Sequence, residues 1–156
     1  MNKATASTTS ALAKAASEGV KADYDAAVKQ ADAQYKMARK KSGDMKANAK
    51  DVCKAQAKRD RDVAKANAKA TRAGTAKAQA KAQAKAHKVK TDRDYDVAKE
   101  MCGDRKGKDK DVCVKKVKVA HKKALSAVRV EKAAATGTRK DIAEASREAK
   151  KDALDD

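Results

Sequence analysis

The residues of this chain best suited to chemistry are its three cysteines, and their placement is unequal. Cys102 and Cys113 stand eleven positions apart across a glycine-containing turn, whereas Cys53 has Ser42 in the matching upstream place. Two close-packed antiparallel helices can bring Cα atoms within the roughly 4.4–6.8 Å that a disulfide needs. Cys102 and Cys113 can therefore be joined, and the alternative is a pair of reduced, buried thiols. A closed loop of this size contributes about 2–4 kcal/mol. Cys53 is left as a free thiol or as the route to a disulfide-linked dimer.

Other chemistry fails on spacing. His87 and His121 are isolated, and with the cysteines they match no usual zinc arrangement, so no metal site is expected. Cys113 and His121 are eight residues apart, about 12 Å along a helix, too far for a nucleophile and its base. Gly103 to Asp109 resembles a phosphate loop but is one residue short and ends in Asp where a hydroxyl must reach magnesium. Asp92, Asp94 and Asp96 resemble the start of a calcium loop, yet Val97 replaces the required glycine and Gly103 stands where the bidentate Glu belongs. No acid, base and nucleophile converge, so the chain reads as non-enzymatic, with no catalytic residue and no cofactor.

Cations are the second chemical resource. The formal charge is +18, from 40 basic and 22 acidic residues. Residues 46–90 hold 14 Lys or Arg against three Asp, whereas residues 139–156 hold five basic and six acidic side chains. Lys50, Lys54, Lys58, Arg61, Lys65, Lys69, Lys77, Lys81 and Lys85 recur at helical spacing and are the candidate polyanion-binding set. Such an array neutralises backbone phosphates without reading sequence and in a salt-sensitive way. The bland reading is a solvated helix face. With no Phe or Trp and only Tyr24, Tyr35 and Tyr95, there is no platform for stacking single-stranded bases. An amphipathic membrane helix lacks the bulky residues it needs.

The elements that must position these groups are helices. Ile, Leu, Val and Phe number 16 of 156 residues, against 38 Ala and no Pro, so helix propensity is high while burial of apolar area is small. The fold expected is all-α, with three to four long Ala-rich helices in antiparallel hairpins, extended or loosely packed. Residues 1–10 read as a flexible start, with Ser7 to Ser10 available to cap a first helix over 11–41. Gly43 ends it. A second helix is expected from about Lys46 to Met101, weakest at Ala73-Gly74-Thr75, where it kinks or splits. Its basic residues recur in steps of four, four and three, an eleven-residue period suited to nearly straight packing. A third helix begins near Asp109 to Asp111 and is interrupted at Thr136-Gly137-Thr138, where Thr138 and Asp141 resemble a capping box. The C-terminal helix occupies 139–154, within a terminal unit 136–156.

Residues 35–53 and 95–113 are the same segment written twice, with nine identities in nineteen positions at an offset of 60. That repeat divides residues 11–135 into tandem hairpin units of about 20–74 and 80–135. Gly74 and Gly137 read as the same break in both copies, offset by a three-residue insertion.

Tyr95, Ala98, Cys102, Gly103 and Asp104, continuing through Lys110-Asp111-Val112-Cys113, form a block that resembles a repeat in small Ala/Lys-rich bacterial proteins loosely labelled TolA-like cell-envelope proteins. The likeness covers residues 20–130 at most. It implies an exported, periplasmic, helical, non-enzymatic protein with a disulfide inside the hairpin. Ser42 departs from it by removing that link from the first copy. No run approaches the ~20 apolar residues of a membrane span. The opening MNKATASTTSALAKAASEGV lacks the apolar stretch of a signal peptide, so it reads as a cytosolic start or as a mature end with an added Met. The functional expectation is a basic structural or interaction protein of the bacterial envelope that binds an anionic polymer or protein partner. The rival is a cytoplasmic nucleic-acid compaction protein similar to linker-histone tails, which segment 76–90 resembles in composition but without their prolines.

Overall fold

A computed structural model describes the backbone of residues 3–137 and 139–154 and the side chains of residues 14–137 and 139–151. It contains α1 (Lys3–Gly43), α2 (Ala47–Thr71), α3 (Ala76–Met101), α4 (Gly107–Thr136) and α5 (Arg139–Leu154), and no strand among the described residues. The expected all-α class is what the chain adopts, as five helices.

Two boundaries differ from the sequence reading. α1 starts at Lys3, so Ser7 to Ser10 lie inside the helix rather than capping it; their side chains fall outside the described residues. The single helix expected over 46–101 is two helices, because Ala73 and Gly74 leave the helix and Thr75 starts another. Thr75 is extended (φ −128°, ψ 150°) and its hydroxyl accepts a hydrogen bond from Ala78 N, an N-cap that satisfies an otherwise orphaned amide. The lysine period therefore does not run along one rod. It folds back on itself. The break at Gly137 falls where the sequence places it, while Thr138 of the expected capping box lies outside the described residues.

Short turns make successive helices antiparallel, and each helix packs on its chain neighbours: α1 on α2, α2 on α3, α3 on α4 and α4 on α5, with no other helix pair in contact among the described residues. A closed bundle would bring α1 against α3 or α4. The array is open instead, and the reason lies in what the seams contain. The buried residues are Ala31, Ala57, Ala70, Ala84, Ala86 and Cys102, with Ser42 and Ser126 as the buried polar ones. All are small, so neighbouring helices approach closely, but nothing bulky projects far enough to recruit a third helix. Each Ala removes little apolar area from water, at about 25 cal/mol per Å². Stability is therefore local to each seam.

α1 has 41 residues against 25 in α2, or about 60 Å against about 38 Å. Its first half overhangs its partner, and residues 14–23 are all exposed. The Arg72 guanidinium lies 5.0 Å from the centre of the Tyr24 ring and marks where α2 ends along α1.

The repeat is visible as geometry in its two turns. Ser42-Gly43-Asp44-Met45-Lys46-Ala47 and Cys102-Gly103-Asp104-Arg105-Lys106-Gly107 have the same shape. In each, the amide three residues on donates to the carbonyl of the first residue at 3.2 Å (Met45 to Ser42, Arg105 to Cys102). Lys46 and Lys106 are both extended, and the next residue is left-handed in both, Ala47 at φ 47° and Gly107 at φ 51°. Gly107 takes that conformation freely, whereas Ala47 takes it against its Cβ. At Gly103 a different demand applies. A Cβ there would stand 2.9 Å from the Glu100 carbonyl and collide with Asn48, because the second turn sits against the start of α2.

Candidate functional site

The two helix ends preceding these turns hold the two largest fully buried side chains, Ser42 and Cys102. Both lie against the last turn of their own helix: Ser42 Oγ donates to the Arg39 carbonyl at 2.7 Å, and Cys102 Sγ is 3.4 Å from the Ala98 carbonyl, a contact without a donated proton. Across the turn, Cys102 and Cys113 are at disulfide distance, S–S 2.00 Å and Cα–Cα 5.8 Å. Cys53 holds the place of Cys113 opposite Ser42. It carries no disulfide, is half-buried, and lines a shallow groove with Met45, Val52 and Met101.

Cross-helix contact is carried by charge to a degree that composition does not reveal. Between α2 and α3, Arg59 Nε donates to Asp94 at 2.6 Å, and Arg93 Nε donates to Asp62 at 2.8 Å. Asp62 also accepts from Arg61 at 2.7 Å, and Arg93 reaches Asp96 at 2.6 Å. Between α1 and α2, Lys65 meets Asp32 at 2.6 Å, while the Arg61 guanidinium lies over the Tyr35 ring at 4.2 Å. Between α3 and α4 the basic partner is histidine: His121 Nε2 to Asp92 at 3.0 Å, and His87 Nδ1 to Glu131 at 2.7 Å. Both histidines of the chain are thus at one seam.

The electrostatics follow from these contacts. Burial alone would raise the Asp94 carboxyl, and hydrogen bonds from Lys90 and Arg59 overcome that and hold it below its ordinary value. Asp92 is lowered in the same way, its burial outweighed by Lys88 and His121 together. Arg59 is raised chiefly by its hydrogen bond to Asp94, and Arg93 chiefly by its bond to Asp96. The three aspartates at 92, 94 and 96 are all on helix α3 and all bound to cations. No group of three or more potential metal ligands gathers among the described residues.

The nine residues expected to face a polyanion divide into two sets. Arg61 and Lys65 are engaged in the α1–α2 seam. Lys54 is 4.0 Å from Asp51, and Lys50 reaches the Gly43 carbonyl at 3.3 Å. Lys58, Lys69, Lys77, Lys81 and Lys85 are exposed and make no ion pair among the described residues. Lys77, Lys81 and Lys85 form a ladder on α3 with about 6 Å between steps. The ladder ends there, since Lys88 and Lys90 are bound to Asp92 and Asp94 at 2.6 and 2.5 Å. Because α2 and α3 are antiparallel, Lys69 comes alongside: Lys69, Lys81 and Lys85 rim a groove of about 330 Å³ whose floor is Ala66, Ala78, Ala82, Ala86 and Val89.

Sequence reasoning missed Arg59, Arg93, Asp62 and Asp94. Their signal was present in the alternating charges of Arg59-Asp60-Arg61-Asp62 and Asp92-Arg93-Asp94. The two runs face each other only once the chain reverses at 72–75. No helix of the described residues is long and apolar enough to cross a membrane. Comparison of the chain with protein-family models, curated proteins and solved structures finds no match to any of them.

Proposed function

We propose that this chain is a non-enzymatic, basic helical interaction protein of the bacterial cell envelope that holds anionic polymers on the α2–α3 hairpin. The observation that carries the reading is the division among the cations. Asp62, Asp92, Asp94 and Asp96 are taken up by Arg, His and the nearer Lys, which leaves Lys69, Lys77, Lys81 and Lys85 exposed and without an acidic partner among the described residues. An Ala floor between Lys69 and Lys81 lets a polymer backbone come close without a steric barrier. Location in an oxidising compartment is supported by Cys102 and Cys113 at disulfide distance, since such links persist outside reducing cytosol.

The test is binding to a linear polyphosphate across a salt series. Log affinity should fall linearly with log salt, with a slope set by several contacts. Lys69→Glu, Lys77→Glu, Lys81→Glu and Lys85→Glu combined should remove binding without loss of helix. Undiminished affinity in that variant would overturn the reading. Thiol trapping in the producing cell, by acid quench and alkylation without reduction, tests the compartment: a protected Cys102–Cys113 pair supports the envelope. Alkylated cysteines, with duplex DNA binding that survives about 0.3 M salt, would favour the cytoplasmic nucleic-acid reading instead.

A further inference from the structure

The two copies of the repeat enclose grooves of unequal size at the same position, between the tyrosine-bearing helix and the one that follows. In the first copy the groove is about 100 Å³, lined by Ala31, Tyr35, Ala38, Ala57 and Arg61. In the second the matching residues are Thr91, Tyr95, Ala98, Val117 and His121, and the groove is about 470 Å³. Two adjacent positions differ most: Asp60 and Arg61 line the first groove where Ala120 and His121 line the second. Arg61 reaches across and covers the Tyr35 ring, whereas His121, 60 positions later, stacks face to face on Tyr95 with centroids 4.4 Å apart and planes at 23°. The shorter imidazole forms a wall where the guanidinium forms a plug. Ala120 and Ala124 leave the α4 side open.

The open groove falls within the range of volumes, about 300–1,000 Å³, that hold small ligands. It spans Thr91 to Ala98, about 10 Å along α3. Its walls are mostly apolar, and its charge is positive. Lys116 stands at one end and makes no ion pair among the described residues. Lys90 stands at the other, bound to Asp94, whose carboxylate is already held by Arg59.

We infer that the α3–α4 groove is a binding site for a small amphipathic monocarboxylate, its apolar body lying along Tyr95, Val117 and Ala120 and its carboxylate meeting Lys116. The occupant is an acid because the unbalanced charge at the rim is an ammonium. It is small because the groove is about two helical turns long. The first copy does not bind, because Arg61 fills it and also places a guanidinium on the aromatic ring.

The chain provides its own reporter, since Tyr24, Tyr35, Tyr95, His87 and His121 are its entire set of aromatic rings. Decanoate, kept below its micelle concentration, is titrated into the full chain and followed in the aromatic proton spectrum. The Tyr95 and His121 signals should shift and saturate, with those of Tyr24 and Tyr35 unmoved. His121→Arg installs the plug of the first copy and should weaken binding at least tenfold. Lys116→Glu, an exposed change that leaves the seam alone, should do the same, while Lys69→Glu and Lys81→Glu leave it unaltered. Equal shifts at Tyr35 and Tyr95, no shift at millimolar decanoate, or full binding by both the His121→Arg and Lys116→Glu proteins would each overturn the assignment. None of these outcomes bears on polymer binding at the α2–α3 hairpin.

Discussion

The α1–α2 and α3–α4 hairpins share a turn, a buried helix end and a tyrosine-centred seam, yet they are secured by different means. In the first, Ser42 hydrogen-bonds to its own helix, and Arg61 and Lys65 span the seam. In the second, Cys102 and Cys113 lie at disulfide distance, and His121 and His87 do the spanning. The first copy therefore relies on long cationic side chains that also close its groove. The second, with its cysteines at disulfide distance at one end, has histidines at its seam and an open groove. Once a covalent link fixes register, the residues that would otherwise have to hold it can shorten without the hairpin slipping.

Replacing Cys102 by Ser makes the second hairpin resemble the first and tests this most directly. Ser fits, because Ser42 occupies the same buried place, so the loss is that of the cross-link, about 3 kcal/mol for a loop of this length. Hydrogen exchange resolved by peptide should show protection falling in 95–113 toward the level of 35–53. If 95–113 keeps its advantage, the disulfide is not what distinguishes the copies.

The converse is Ser42→Cys. With the turn geometry shared, the new thiol should pair with Cys53, and titratable thiols should drop from one to none with a gain of about 2 kcal/mol. A protein that retains two free thiols at 42 and 53 would show that the two turns are less alike than their backbone indicates.

Asp62→Ala tests whether the middle seam is held by charge. It removes the acceptor shared by Arg61 and Arg93, and since these groups are only partly buried the cost should be about 1 kcal/mol, read from the thermal midpoint. It should fall on α2–α3 more than on α3–α4. Acid addresses the same contacts. Asp92 and Asp94 are held below their ordinary values in the folded chain, so their contribution is complete above the unfolded value, near pH 4, and is lost as pH falls through the lower folded value. Helix content followed by circular dichroism should decline in that window, and Asp94→Asn should remove part of the decline.

The smallest effect belongs to the left-handed residues. Ala47→Gly should raise stability by about 0.5 kcal/mol by relieving its Cβ, and Gly107→Ala should lower it by a similar amount. Thermal midpoints moving in opposite directions would confirm that the two turns are one design.

Much of this architecture was legible in advance, for identifiable reasons. Gly43 and Gly137 mark real helix ends, and an Ala-rich chain without Pro has few alternatives to helix. The nearness of Cys102 and Cys113 followed from placing them on antiparallel helices either side of one turn, and the repeat showed only that Cys53 has Ser42 where a partner would stand. The reversal at 72–75 was read as a weak point rather than as a turn, although Gly74 followed by Thr75 carries both an ending and a cap. Periodicity reports which residues share a face of one helix, and on that basis Arg61 and Lys65 were grouped with Lys69 and Lys81. Whether a helix continues or doubles back is decided by what it can pack against, and that lies outside any window of sequence.

The sequence by itself determined that the chain is helical, basic, thinly cored and duplicated, because propensity, charge and repetition are properties of the chain order alone. Only the tertiary structure decided which lysines remain free, that Arg61 closes one groove, and that His121 leaves its counterpart open. Those outcomes depend on distances between helices, and alanine seams leave the choice of partners to a few charged and aromatic side chains that meet only after the chain has folded back.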